Sequence, residues 1–434
     1  MTPAGTATDP AVDRSPAPDA ADTLREGAFG HAEALACREC GHRIALGPHY
    51  ACPECFGPLE IAYRFPLVTR EEIEAGPRNI WRYKALLPVP ADIEESPNME
   101  PGFTRLLKAR NLGRELGIEN LWVKDDSTNP TNSFKDRVVA CALSAAREFH
   151  SKVFACPSTG NLANAVAAAG ARAGIKTVVF IPSDLEQPKQ VNSAVFTESL
   201  VAVRGNYDDV NRLASEIAGE EEGWAFVNVN VRPYYAEGSK TLGYEIAEQL
   251  GWRLPDQIVI PVASGSQLTK VHKAFQELIG LGLVEDRPYR VYGAQASGCS
   301  PVSVAYKSGT DAIRPVKPDT IAKSLAIGNP ADGVYVLDIC RETGGAVEDV
   351  SDEQVREAIV LLARTEGIFT ETAGGTTVAV LKKLVEGGQL DPSLETVVIN
   401  TGHGLKTLDA VSGSVGPAAT IDPSYAAFTG SGIV

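Results

Sequence analysis

The polar segment VKDDSTNPTNSFKDR, residues 123–137, contains a lysine, Lys135, within its final five residues SFKDR. The apolar run before this segment predicts a strand, and the run after it predicts a helix with Lys135 in its first turn. The positive end of a helix dipole favours a neutral amine over an ammonium, and the neutral amine is the form that attacks a carbonyl group. A single lysine is nevertheless most often a solvated surface residue. Its neighbours in the fold must therefore decide its role.

Three further segments place small polar residues directly after a predicted strand. They are CPSTGNLANAVAAAG at 156–170, IVIPVASGSQLTKVHKAF at 258–275 and VINTGHGLKT at 398–407. Backbone N–H groups and hydroxyls in such loops bind carboxylates and phosphates at helix N-termini. In the last segment a buried strand brings Thr401 to its carboxyl end, where ligands gather in open α/β sheets. Each segment alone also fits an ordinary helix cap or turn.

The segment at 258–275 is neither a Walker loop nor a G-x-G-x-x-G motif, which argues against a nucleoside triphosphate or NAD as ligand. Its small residues and free amides instead suit a phosphate dianion. A reactive lysine, a carboxylate-binding loop, a phosphate-binding loop and a strand-end hydroxyl together match what pyridoxal 5′-phosphate requires from a protein. The combination is more specific than any one segment.

Four of the eight cysteines are clustered with the spacing C-x2-C-x11-C-x2-C, as Cys37, Cys40, Cys52 and Cys55. This spacing is typical of a zinc ribbon, and four thiolates complete a tetrahedron without His42 or His49. We expect a structural zinc that stabilises a module too short to form its own core. A nucleic-acid finger is disfavoured because the segment has few basic residues. The scattered cysteines are expected to be reduced core residues, namely Cys141, Cys156, Cys299 and Cys340.

Short β-branched runs alternate with Ala- and Leu-rich helical stretches from residue 121 onward. This alternation predicts a parallel sheet covered on both faces. The predicted strands are 121–124, 153–156, 177–181, 200–203, 225–229, 257–262, 290–294 and 396–400. The predicted helices include 136–149, 162–173, 208–221, 239–250 and 352–366.

Composition limits the classes of partner. The chain has 434 residues, 44% of them hydrophobic, and a formal net charge of −15, so it is long enough for two or three structural units. An acidic surface repels phosphodiester backbones and anionic lipid, so we expect no nucleic acid and no membrane among its partners. No apolar run approaches the roughly 20 residues of a membrane span, and residues 1–21 lack a secretory signal, which predicts a cytoplasmic protein. Residues 1–34 are predicted to be a disordered tail, and residues 412–434 a C-terminal tail.

The motifs between Cys37 and Thr407 resemble the threonine synthase family of fold type II pyridoxal-phosphate enzymes. The segment SFKDR is shared with related lyases and dehydratases, whereas RPYYAEGSKTLG at 232–243 and IAKSLAIGNPADG at 321–333 resemble threonine synthases in particular. The other matching segments are CFGPLE, KDDSTNPTNSFKDR, STGNLAN, GNYDDVN, VASGSQLTK, FTETAGGTT and TGHGLKT.

The resemblance implies an α/β fold of the tryptophan synthase β-like type with two parallel-type α/β subdomains. The catalytic domain would span residues 63–411, with a smaller mobile subdomain at about 136–240 within it. A zinc-ribbon-like module at 35–62 would precede it. Members of this fold class often form homodimers, although the sequence itself does not determine the oligomeric state.

The resemblance also implies roles for individual residues. Lys135 would carry the cofactor as a Schiff base, Asn161 would contact the ring hydroxyl oxygen, and Thr401 would face the ring nitrogen. The cofactor phosphate would bind the phosphate loop, which we define as Ser264, Gly265, Ser266, Gln267 and Leu268. The substrate carboxylate would lie near Ser158 and Thr159, and the substrate phosphate is assigned from charge and placement to Ser133, Arg137 and Lys240. The chain departs from the family at Asn132, where glycine is frequent, and at Arg105 after Thr104.

The activity implied is the last step of threonine biosynthesis, in which O-phospho-L-homoserine and water give L-threonine and phosphate. This is a γ-elimination followed by β-addition of water, with Lys135 moving the protons. The alternatives are another fold type II enzyme, such as cysteate synthase or threonine dehydratase. A different class is a zinc-ribbon binding protein whose α/β body has lost catalysis, but an intact Lys135 and phosphate loop argue against it.

Overall fold

A computed structural model describes residues 24–158, 160–184, 187–205 and 207–433. The four-cysteine module, which we define by its strands, is built on the antiparallel β1 (Ala32–Cys37), β2 (Arg43–Ile44) and β3 (Leu59–Tyr63), in the order β2-β1-β3. Its buried side chains, among them Leu35 and Ile61, belong to the same core cluster as the body of the protein. The module therefore packs on the body and shares its hydrophobic core, because it is too small to bury a core alone.

The body contains two further sheets in the described part of the chain. Their strands, in chain order, are β4 (Arg105–Lys108), β5 (Leu121–Asp125), β6 (Val153–Pro157), β7 (Lys176–Pro182), β8 (Leu200–Val203), β9 (Trp224–Phe226), β10 (Gln257–Pro261), β11 (Arg290–Ala296), β12 (Val347–Val350) and β13 (Thr396–Asn400).

The large sheet has the strand order β12-β11-β10-β13-β5-β4 and is parallel except at the edge strand β4. Every residue of β10 and β13 is buried, which is the pattern of strands covered on both faces. The small sheet, β8-β7-β6-β9, is entirely parallel and comes from a single stretch of chain inserted between β5 and β10. The predicted α/β fold with parallel sheets is confirmed.

The helices connect the strands and cover the sheets. In chain order they are α1 (Arg70–Glu74), α2 (Arg110–Leu116), α3 (Lys135–Glu148), α4 (Asn161–Ala173), α5 (Gln187–Ala194), α6 (Tyr207–Glu220), α7 (Arg232–Glu237), α8 (Lys240–Gln249), α9 (Ser266–Gly280), α10 (Pro301–Lys307), α11 (Gly333–Glu342), α12 (Asp352–Glu366), α13 (Thr372–Glu386) and α14 (Tyr425–Gly430).

Local sequence sets where these helices begin and end. Ser351 forms a capping box with Gln354 at the start of α12, and Gly174 ends α4 at φ 67°, a left-handed conformation in which glycine carries no steric penalty. Helix α3 is buried without interruption from Asp136 to Ala146 and packs against α4 and α7. Its Ala-rich sequence allows this close approach on all sides.

The chain ends differ from the sequence expectation. Of the predicted disordered tail, residues 1–23 lie outside the described residues, whereas 24–34 pack on the body. Phe29 is buried against Phe149 and Tyr234, so one aromatic side chain anchors this segment. The predicted C-terminal tail contains α14, and the short strands β4 and β12 were not predicted. No helix in the described ranges is long and apolar enough to cross a bilayer.

Candidate active site

A cavity lies at the carboxyl ends of β10 and β13 and at the first turns of α3, α4 and α9. Most of the residues predicted from the sequence to bind cofactor or substrate line it. They are Ser133, Lys135, Asn161, Ser264, Gly265, Ser266, Gln267 and Thr401.

Lys135 is the first residue of α3, as its motif predicted. The segment before it is fixed to the end of β13, because the Phe134 N–H donates to the Thr401 carbonyl at 2.8 Å. The ammonium nitrogen lies 5.4 Å and 5.7 Å from the ring centroids of Phe134 and Tyr235. No hydrogen bond or ion pair joins it to another described residue. The amine is therefore free to react with a ligand in the cavity.

The turn that delivers Lys135 is held by its own polar groups. Asn132 has φ 61°, in the left-handed region that Asn tolerates, which explains why glycine suits this position as well. The Asp136 carboxylate accepts from the N–H of Thr131 at 2.7 Å and from its hydroxyl at 2.6 Å. Burial raises the pKa of Asp136 to about 6, although these hydrogen bonds act in the opposite direction. Ser133 Oγ is buried in the cavity wall without a hydrogen-bond partner among the described residues.

The phosphate loop is shaped to cradle an anion. Gly265 has φ 98°, and a Cβ there would lie 2.8 Å from a methyl of Val336, so only glycine fits. Helix α9 begins at Ser266, and the first N–H groups of a helix have no intrahelical acceptor. Gln267 Nε2 is buried without a partner in the described ranges. The Leu268 side chain lies in the core, so this residue can offer only its backbone N–H. These donors fit the phosphate of pyridoxal phosphate.

Glu371 is a cavity residue that sequence reasoning missed. It immediately precedes α13, is buried, and its two carboxylate oxygens accept from Asn161 Nδ2 and Thr401 Oγ1, both at 2.7 Å. Asn161 begins α4 beside the small sheet, and Thr401 follows β13 of the large sheet. Glu371 therefore links the two residues predicted to flank the cofactor ring. The only sequence signal was its place in the family-matching segment FTETAGGTT.

Arg137, predicted to bind the substrate phosphate, points away from the cavity. Its side chain is fully buried and donates to Asp126 and Glu245, with 2.8 Å from Nε to Asp126 Oδ2. Lys124 also pairs with Glu245, at 2.6 Å. Burial alone would raise the pKa of Glu245, but the charges of Arg137 and Lys124 outweigh it and lower the pKa to about 2. The geometry corrects this assignment, since the guanidinium is already committed to two carboxylates.

Lys240 is placed in a second buried network rather than at the cavity. It donates to the Leu86 carbonyl at 2.8 Å and pairs with Glu237 at 2.8 Å and Glu277 at 3.0 Å. Glu237 precedes Lys240 by three residues in the same family-matching motif, whereas Glu277 is brought to it by three-dimensional packing. Lys240 is thus a structural cation in this geometry.

The loop predicted to hold the substrate carboxylate is only partly described. Ser158 is buried after β6, its N–H donates to the Phe180 carbonyl at 3.1 Å, and its hydroxyl accepts from the Gly160 N–H at 3.4 Å. It does not belong to the described lining of the cavity. Thr159 lies outside the described residues.

The four clustered cysteines converge as their spacing predicted. The sulfur atoms of Cys37, Cys40, Cys52 and Cys55 all lie within 4.8 Å of one another. Hydrogen bonds from the backbone N–H groups of Cys40 and Glu39 lower the pKa of Cys37 to about 7, which favours the thiolate. The donor set fits a tetrahedral soft ion such as zinc. The remaining cysteines are buried free thiols: Cys141, Cys156, Cys299 and Cys340.

Residues 98–402 match the model of the pyridoxal-phosphate dependent enzyme family. A threonine synthase of Methanocaldococcus jannaschii is 37% identical, with 86% of this chain and 93% of the relative covered. A threonine synthase of Halalkalibacterium halodurans is 35% identical, with 75% of this chain and 88% of the relative covered.

Solved structures show the same fold at lower identity. The processed form of threonine deaminase isoform 2 from Solanum lycopersicum has a TM-score of 0.60 at 20% identity, covering 82% of this chain and 99% of that one. Maize serine racemase has a TM-score of 0.58 at 21% identity, covering 72% and 91%. The predicted fold type II architecture is thereby confirmed, and the chain belongs to the threonine synthase family of pyridoxal-phosphate-dependent enzymes.

Proposed function

We propose that this chain converts O-phospho-L-homoserine and water into L-threonine and phosphate, with pyridoxal phosphate held as a Schiff base on Lys135. The observation that carries the proposal is the convergence of Lys135, Asn161, Thr401 and residues 264–267 of the phosphate loop on one cavity. The threonine synthases to which the chain is similar support the choice of reaction.

The proposed cofactor-binding residues form two groups, one for the cofactor phosphate and one for its ring. The phosphate loop would hold its phosphate through backbone N–H groups, the Ser264 and Ser266 hydroxyls and the Gln267 amide. Asn161 would contact the ring hydroxyl oxygen, and Thr401 the ring nitrogen. Because the Thr401 hydroxyl donates a hydrogen bond to Glu371, Thr401 Oγ1 is left to accept a hydrogen bond from the ligand.

The bound cofactor supplies an electron sink for the carbanion left when a substrate C–H proton is removed. Lys135 Nζ, released when the substrate amine takes its place, would remove the proton from the α-carbon and move a β-proton. The rings of Phe134 and Tyr235 lie 5.4 Å and 5.7 Å from this amine and would limit the approach of water on those sides. Glu371 would keep Asn161 and Thr401 at a fixed separation during these proton transfers.

Ser133 remains a proposed contact for the substrate phosphate. Its hydroxyl is buried in the cavity wall and is unpaired among the described residues, so it can donate to a ligand without breaking an existing bond. The same proposal for Arg137 and Lys240 is withdrawn because both are bound to buried carboxylates. Ser158 and Thr159 stay proposed contacts of the substrate carboxylate.

We also propose that the cysteine cluster holds a structural zinc ion. Four thiolates leave no open coordination position, so this metal would stabilise the module and take no part in the reaction. The expected zinc content is one ion per chain, measured by atomic emission, with loss of the ion in a Cys40→Ser variant.

The test of the reaction is the product ratio from O-phospho-L-homoserine. The purified protein loaded with pyridoxal phosphate should release threonine and inorganic phosphate in equal amounts, as measured by amino-acid analysis and a phosphate assay. Phosphate without threonine would contradict the proposal.

Two further substrates separate the alternatives. Turnover of O-phosphoserine with sulfite, in the absence of activity on O-phospho-L-homoserine, would identify a cysteate synthase. Conversion of threonine alone to a keto acid would identify a dehydratase. Cofactor absorbance with no turnover of any of these substrates would favour a binding protein.

A further inference from the structure

The knuckle of the cysteine module touches the body beside the phosphate loop. Arg38, between Cys37 and Cys40, donates from Nη1 to Asp332 Oδ1 at 3.3 Å. The guanidinium carbon also lies 3.4 Å from the ring centroid of Tyr335. Glu39 accepts a hydrogen bond from the Tyr335 hydroxyl. Two successive residues of the module, Arg38 and Glu39, therefore contact the start of α11.

Asp332 connects this contact to the phosphate loop. Its N–H donates to the Ser264 carbonyl at 2.8 Å, and its Cβ and carbonyl oxygen would both lie 3.0 Å from a Cβ on Gly265. Its second carboxylate oxygen accepts from Arg232 at 2.8 Å. The Asp332 side chain is only 6% exposed, so its position is determined by these partners.

A second contact joins the module to the helix that follows the loop. Glu60 in β3 pairs with Lys270 in α9, and Lys270 also pairs with Glu237 at 2.6 Å. Burial raises the pKa of Glu60, but the charges of Lys270 and Lys273 outweigh it and lower the pKa to about 2. The module therefore contacts both Asp332, which packs on the phosphate loop, and helix α9, which begins in that loop.

We propose that Arg38 is a positioning residue of the cofactor site, which couples the four-cysteine module to the phosphate loop through Asp332. The inference rests on the proposed role of that loop in binding the cofactor phosphate. A folded module is then required for full affinity for the phosphate group, although no module residue touches the cavity among the residues described. Arg38 holds the Asp332 carboxylate, and the Asp332 backbone holds Ser264.

The test compares pyridoxal phosphate with pyridoxal, which lacks the phosphate. Arg38→Ala should raise the apparent dissociation constant of the apoenzyme for pyridoxal phosphate about five- to tenfold, which is less than the full effect of one charged hydrogen bond because Arg38 acts through Asp332. Binding of pyridoxal, followed by the same absorbance band, should be unchanged. Arg43→Ala is the matched control, because Arg43 lies in the same module and pairs with Glu33 away from the loop. Equal weakening of both ligands, or wild-type affinity for both, would overturn the proposal.

A double-mutant cycle tests whether Arg38 acts on the phosphate loop through Asp332. The Arg38→Ala, Asp332→Ala double variant should bind pyridoxal phosphate no more weakly than Asp332→Ala alone, whereas additive losses would contradict coupling through Asp332. Arg38→Lys, which keeps the charge, should give an intermediate affinity if Arg38→Ala fails to fold.

Substitutions in the loop itself separate this inference from the proposed function. If Ser266→Ala and Gln267→Ala reduce the preference for pyridoxal phosphate over pyridoxal and Arg38→Ala does not, the coupling fails and the loop assignment stands. If none of the three variants changes that preference, the loop assignment fails as well.

Discussion

Two regions that meet in the segment SFKDR use their polar groups in opposite ways. Toward the cavity, Ser133 Oγ is unpaired and Lys135 Nζ has no hydrogen-bonding or ionic partner among the described residues. Behind the cavity, the Arg137 guanidinium donates to Asp126, Glu245, Thr104 and Thr241 and is fully buried. The first region keeps hydrogen-bonding capacity for a ligand, and the second uses it within the protein.

The difference teaches how a binding site can be distinguished from a scaffold within one motif. Buried polar groups are nearly always paired, so an unpaired group in a cavity wall indicates a ligand contact. Fully paired buried charges instead hold the surrounding elements in place, and removing one partner leaves the others desolvated. Activity should therefore depend on Ser133 and Lys135, and stability on Arg137.

The largest effect is expected for Lys135→Ala. Turnover of O-phospho-L-homoserine should fall at least about 10³-fold, since the variant lacks the group that moves the protons. The absorbance band of the bound cofactor should disappear, while the melting temperature of the apoprotein stays within a few degrees of wild type. Retention of the band would contradict the assignment of Lys135 to the cofactor.

Arg137→Leu should show the opposite pattern. The substitution leaves Asp126 and Glu245 without their main cation and should lower the free energy of unfolding by about 3–5 kcal/mol. Urea titration measures this loss. The matched control is Arg212→Leu on α6, where the side chain is 67% exposed and the cost should stay below about 0.5 kcal/mol. Similar costs for the two variants would remove the distinction between scaffold and surface.

The scaffold network also predicts a pH dependence. The pKa of Glu245 is lowered to about 2 in the folded protein, so its contribution to stability is fully present above pH 4.5 and is lost as the pH falls through 2. The difference in unfolding free energy between wild type and Glu245→Gln should shrink over this range. A difference that stays constant from pH 7 to pH 2.5 would show that Glu245 does not stabilise the fold as a carboxylate.

The smallest effect on stability is expected for Ser133→Ala. Its hydroxyl makes no hydrogen bond in the described structure, so the free energy of unfolding should change by less than about 0.5 kcal/mol. The KM for O-phospho-L-homoserine should rise about tenfold, because a hydrogen bond to the substrate phosphate is lost. A stability loss without any change in KM would place Ser133 in the scaffold.

Much of the architecture could be predicted because its signals are local. Continuous apolar runs marked strands such as β13, and the cysteine spacing marked the module. The edge strand β4, with its exposed Arg105, lacked such a run. A single buried aromatic, Phe29, was not enough to show that residues 24–34 pack on the body.

The site was predicted in part for a related reason. Small residues after strands indicate a ligand-binding edge from sequence alone, and Lys135, Thr401 and residues 264–267 of the phosphate loop line one cavity in the structure. Which charges are already paired depends on partners remote in sequence, such as Glu245 for Arg137 and Glu277 for Lys240. Glu371 was missed for the same reason, since its partners Asn161 and Thr401 are remote in sequence.

The central claim is that the cavity-facing lysine of SFKDR, and no buried paired lysine, carries the cofactor. Borohydride reduction of the protein loaded with pyridoxal phosphate would fix the cofactor to its lysine, and peptide mass analysis would identify the residue. The account predicts the pyridoxyl group on Lys135 in a single modified peptide. Modification of Lys124 or Lys240, with Lys135 unmodified, would contradict it.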